Sequence, residues 1–81
     1  MEGNDHYAEL GEWINTEFKI DVIVCRIFGK RWAFQWSNVT DIENAKRINL
    51  TPSTGIIIPA NVDEERVVKI EKEALNHWQK L

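Results

Sequence analysis

Hydrophobic positions along the chain fall into a helical pattern at each end and a strand pattern between. Near the start, Tyr7, Leu10, Ile14 and Phe18 recur at spacings of three and four, with Trp13 widening the stripe and Glu9 and Glu12 on the polar side. This predicts a helix over residues 5–17, capped by Asn4 or Asp5, whose short side chains accept from the unpaired amides of a first turn. Gly11 lies inside it at a cost of about 1 kcal/mol relative to alanine. At the far end Val67, Ile70, Ala74, Trp78 and Leu81 mark one face of a second helix, broadened by Val68 and Leu75. Pro59 stops the preceding strand, Asn61 with Glu64 resembles a capping box, and Asp63, Glu64 and Glu65 against Lys80 match the helix dipole.

Between these helices the period changes to two. Val22, Ile23, Val24, Ile27 and Phe28 are strand formers, and Gly29-Lys30 joins them to a second run as a two-residue hairpin loop. Glycine at the first central position is what a type II′ turn needs, because φ is positive there. That turn fixes a register in which paired positions sum to 59, so that Ile27 faces Trp32, Cys25 faces Phe34 and Ile23 faces Trp36. All six would share one face, expected to be the core face against the helices. The other face pairs Phe28 with Arg31, Arg26 with Ala33, Val24 with Gln35 and Val22 with Ser37.

The segment 38–58 is more open. Thr40-Asp41-Ile42-Glu43 fits a capping box and a single helical turn around residues 41–45. A strand is expected near residues 47–51, then a turn through Pro52-Ser53-Thr54-Gly55 and a strand over residues 56–58. Strands flanked by helices predict an α+β fold: one domain over residues 1–81, an antiparallel sheet built on a hairpin at about 20–37, and the N- and C-terminal helices packed on one face.

Composition narrows the class. Apolar residues make up 43% and charged residues 28% of the 81 residues, which excludes collagen-like, fibrous and wholly disordered chains. No apolar run approaches the roughly 18 residues of a membrane span, and the acidic start is unlike a secretory signal, so the expectation is a soluble cytoplasmic protein without a membrane partner. One cysteine excludes an internal disulfide. The net charge of −3 is uneven: the first 18 residues hold five acids and no base, whereas residues 19–47 hold six bases and three acids. An acidic whole weighs against a duplex-DNA binder, while a basic middle allows a local anionic contact.

Candidate chemistry is sparse. His6 and His77 sit near helix ends, where His77 has an ordinary explanation in the helix dipole. Cys25 lies on the apolar face of the hairpin, where a free cysteine behaves as a small hydrophobe more often than as a nucleophile served by His77. No metal spacing, cofactor motif or catalytic set is recognisable. Thr51-Pro52-Ser53-Thr54-Gly55 offers hydroxyls and a glycine, but no lysine or helix follows as a phosphate loop requires, so it reads as a turn. The surface left available is the second face of the hairpin: Arg26, Phe28, Lys30, Arg31 and Gln35. Arginine and aromatic residues are the types enriched at interfaces. The leading expectation is therefore a non-catalytic protein-interaction module of adaptor, regulator or inhibitor type, binding a protein partner or a second copy of itself. The alternative is a nucleic-acid-binding protein using the same basic hairpin, and an enzyme comes third.

Overall fold

A computed structural model describes residues 2–41 and 44–81. The elements run α1 (Glu2–Phe18), β1 (Ile23–Phe28), β2 (Arg31–Ser37), β3 (Ala45–Thr51), β4 (Thr54–Pro59) and α2 (Glu64–Gln79). The four strands form one antiparallel sheet in the order β2-β1-β4-β3, so two sequential hairpins meet along β1 and β4. Both helices lie on one face, α1 over β1 and β2 and α2 over β3, giving the α+β architecture that the alternating periods predict.

The helix boundaries shift from the expected ones for local reasons. α1 starts at Glu2, ahead of Asn4 and Asp5. It ends where Lys19 takes φ 56° and its N–H donates to the Asn15 carbonyl at 2.9 Å. The Asn15 side chain then donates to Ile20 O at 2.8 Å, turning the chain toward the sheet. α2 is capped by Asp63, not Asn61: its Oδ1 accepts from the Arg66 amide at 2.9 Å. The expected capping box at 40–43 falls partly outside the described residues, and β3 begins at Ala45. The second hairpin turns at Pro52-Ser53, with Thr51 opposite Thr54, so Thr54 and Gly55 belong to β4 instead of the turn.

The first hairpin follows its expected register for only part of its length. Gly29 takes φ 64°, as a type II′ turn requires. Phe28 faces Arg31, Ile27 faces Trp32, Arg26 faces Ala33 and Cys25 faces Phe34. Beyond Cys25 the register slips, and Val24 faces Trp36 while Ile23 faces Ser37. Gln35 is the extra residue of a β-bulge, which moves Trp36 to the opposite face of the sheet.

The expected core face is corrected accordingly. Tyr7, Leu10, Ile14 and Phe18 of α1, with Ile70 and Ala74 of α2, pack on Val22, Val24, Ile48, Leu50, Ile56 and Ile58, and Trp36 joins them at the edge. Ile23, Cys25 and Ile57 form a separate cluster on the helix-free face with Trp32, Val39 and Ala45. Phe34, expected in the core, is 55% exposed. β3 decides between the faces, because its alternation offers Ile48 and Leu50 on one side and Arg47 and Asn49 on the other. Each fully buried aliphatic side chain is worth about 1.5–3 kcal/mol over exposure. A face that carries Ile48 and Leu50 of β3, Ile56 and Ile58 of β4, and Val24 of β1 with the adjoining Val22 therefore takes the helices.

Candidate interaction surface

The five residues expected to form a binding surface are all exposed. The face on which they were expected, open and away from the helices, is nevertheless the one the helices cover: Val22 and Val24 of that face are core, and Arg26 reaches Tyr7 of α1. Four of them gather at the distal end of the first hairpin. Arg26 is the last β1 residue paired with β4, and the Ile27 amide donates to Ser53 O at 2.8 Å, so Phe28, Gly29, Lys30 and Arg31 reach past the second hairpin. Arg26 Nε donates to the Tyr7 hydroxyl at 2.9 Å. Its guanidinium lies 5.6 Å from the Tyr7 ring centroid and 5.7 Å from that of Phe28. Arg26 thus acts as a strut from α1 to the hairpin tip, holding the 55%-exposed Phe28 in place. Gln35 stands apart at the bulge, about 13 Å from Arg31 along the strand.

The helix-free face carries groups that the sequence reading placed in the core. Trp32 lies flat across β4, so close that a Cβ on Gly55 would sit 2.5 Å from its Cη2 and Cζ3 atoms. The Arg47 guanidinium approaches the same indole at 5.3 Å from its centroid, within cation–π range. The pair roofs the apolar cluster, and Cys25 beneath it is fully buried. Burial pushes its thiol up to about 11, against the opposing pull of Arg47. At neutral pH this is a covered, protonated thiol, the state of a structural cysteine.

His77 lies in the helix layer, on the other side of the sheet from Cys25. Its ring stacks on Trp13 at 4.4 Å with 7° between planes, and its Nε2 is 3.9 Å from a Glu9 carboxylate oxygen. His6 meets the edge of Trp78 at 6.4 Å. The sheet therefore separates the cysteine from both histidines. Among the described residues no three His, Cys, Asp or Glu side chains gather to hold a metal.

A further feature escaped the sequence reading. At the end of the sheet opposite the hairpin tip, Asp21, Val39, Ala45, Ile57, Pro59 and Asn61 line a half-open hollow of about 480 Å³. Its floor is apolar and its rim carries carboxylate and carboxamide groups, contributed mainly by connecting segments in which no periodicity could have flagged them. Among the described residues no helix is long and apolar enough to cross a membrane. No known protein family, curated protein or solved structure matches the chain.

Proposed function

We propose that the protein is a non-catalytic interaction module that engages a protein partner through the distal part of its first hairpin. The observation that carries this reading is the exposure of two phenylalanines, Phe28 and Phe34, each 55% accessible, on opposite faces of that hairpin. Arg26, Lys30 and Arg31 surround Phe28, and aromatic and arginine side chains are the types that dominate interface energetics. The strut from Tyr7 through Arg26 presents Phe28 in a fixed orientation, which lowers the entropy lost on binding.

Nucleic-acid binding is the second reading, favoured by the placement of Trp32 and Phe34 on the helix-free face, where bases could stack. It is weaker because Arg47 already covers the Trp32 ring and the chain carries a net charge of −3. The test is capture and identification of partners from a lysate, followed by reconstitution from purified components, with wild type, Phe28→Asp and a Lys72→Glu control on α2. Phe28 is exposed, so its variant should keep wild-type thermal stability to within about 0.5 kcal/mol. A reconstituted complex lost in Phe28→Asp and retained in Lys72→Glu supports the reading. Identical binding by all three overturns it, and salt-sensitive retention of single-stranded oligonucleotides transfers the function to nucleic acid.

A further inference from the structure

The hollow at the far end of the sheet has a floor because β3 offers a small side chain there. Ala45 stands opposite Pro59, beside the buried Ile57 and Val39 of the connecting segment. Arg47, the next β3 residue on this face, leaves the space open because its guanidinium is drawn to the Trp32 indole, 5.3 Å from the centroid. Lys46 is committed elsewhere, its Nζ donating to Val62 O at 2.7 Å and to Glu64 Oε2 at 3.2 Å. Among the described residues no lysine, arginine or histidine lines the hollow. Asp21 and Asn61 stand exposed on its rim, and among the described residues no group pairs with the Asp21 carboxylate. The frame is tied in place on both sides. The Ala60 amide donates to Asn44 O at 3.0 Å and the Val62 amide to Pro59 O at 3.3 Å, which holds the segment bearing Asn61. The bond from Asn15 to Ile20 O sets the path of the chain into Asp21.

A volume of about 480 Å³ is in the range of sites for small organic molecules. An apolar floor takes an apolar body, and a carboxylate without a counter-charge takes a positively charged donor. From this pairing we infer that the hollow is a binding site for a small organic cation, a primary ammonium group carried on an aryl or branched alkyl body. The ammonium donates to the Asp21 carboxylate and to the Asn61 carboxamide oxygen, and the body covers Ala45, Ile57 and Pro59. A peptide lysine presents the same charge, but its unbranched four-carbon stem would leave most of this floor bare. The site uses neither Phe28 nor the basic turn, so it goes beyond the interaction reading and stands or falls without it.

The experiment is titration of the isotope-labelled full chain at low salt and neutral pH, followed through its backbone amide resonances. The probes are phenethylamine, its neutral counterpart phenethyl alcohol, its anionic counterpart hydrocinnamate, and Nα-acetyl-lysine amide. Wild type is compared with Asp21→Asn and Ala45→Leu, each checked for unaltered thermal unfolding; Asp21 is exposed, so its variant keeps the fold. Phenethylamine should bind saturably and shift the amides of Val39, Ala45, Ile57 and Asn61. Phenethyl alcohol should bind about fivefold more weakly, the scale of an exposed charge pair, and hydrocinnamate more weakly still. Asp21→Asn should lower the affinity for the amine about fivefold, so that amine and alcohol bind alike. Ala45→Leu fills the floor and should weaken both about tenfold or more. The absence of a saturable shift at these amides overturns the inference. So does equal binding of amine and carboxylate, or an Asp21→Asn variant that keeps the wild-type preference for the amine. Tighter binding of Nα-acetyl-lysine amide than of phenethylamine overturns the assignment to a free amine and places the cation on a peptide chain.

Discussion

Substituting Gly11 by alanine should destabilise this protein, although the same change in an ordinary helix interior gains about 1 kcal/mol. The reason is the indole of Trp36, which lies against the glycine. A Cβ at Gly11 would fall 2.1 Å from Trp36 Cε3, 2.5 Å from Cζ3 and 2.8 Å from Cδ2. All three are atoms of one rigid ring, and the bulge holds its Cα opposite Val24, so the ring has little room to swing aside. Forcing such a group into a packed site costs about 1–3 kcal/mol. After subtracting the gain in helix propensity, the net loss should be about 1 kcal/mol, and could reach about 2 kcal/mol. For a domain of this size that lowers Tm by about 4–8 °C per kcal/mol. Urea and thermal unfolding of wild type, Gly11→Ala, Trp36→Leu and the double variant form a double-mutant cycle. With Trp36 replaced by leucine, Gly11→Ala should become stabilising by about 1 kcal/mol. If Gly11→Ala raises Tm in the wild-type background, or has the same effect in both backgrounds, the Trp36 indole does not pack against Gly11 closely enough to exclude a methyl group.

On the other face, Gly55→Ala should lift Trp32 off β4 and unroof Cys25, so iodoacetamide should label the thiol faster than in wild type; an unchanged rate would argue against the Trp32 roof. The Cys25 thiol is raised from 9.0 to about 11 on folding, so the unfolded chain loses this proton first. Its contribution is intact below pH 9 and fades between pH 9 and about 11, by up to about 2–3 kcal/mol, read as the difference between wild-type and Cys25→Ala unfolding curves across that range. Equal pH slopes for the two proteins would refute the shift. Asp63→Ala removes the cap of α2 and should cost about 1 kcal/mol in urea unfolding, whereas Asn61→Ala should cost much less.

Much of the architecture could be read from period and turn chemistry, since Gly29 set the first hairpin, the Leu10 and Ile70 stripes set the helices, and Pro52 marked the second turn. The error lay in extending one register without interruption. The sum rule holds from Phe28 to Cys25 and fails at Gln35, because a bulge leaves no mark in a run of alternating aromatic and polar residues. The assignment of faces failed for a related reason. β1 is apolar on both sides, so its own pattern cannot say which side meets the helices. The answer lay in Arg47 and Asn49 of β3, a strand whose place in the sheet the sequence left open. Arg26, Phe28, Lys30 and Arg31 are exposed for a reason other than the expected one: their face is the helix-covered one, and they escape it because the hairpin runs past its neighbours at the tip. Phe34 and the hollow were not legible, the first because it depended on the face and the second because it is assembled from connecting segments far apart in sequence.

The seam between the two hairpins also bears on how the chain reaches its native state. Each hairpin closes over a few residues, a local event of microseconds, but β1 pairs with β4 across about thirty intervening positions. Bringing those two strands together carries the larger loop-closure entropy and is the natural rate-limiting step. Truncations along that seam, Val24→Ala or Ile56→Ala, should slow folding. Truncation of Leu75 on α2 should instead act mainly by hastening unfolding.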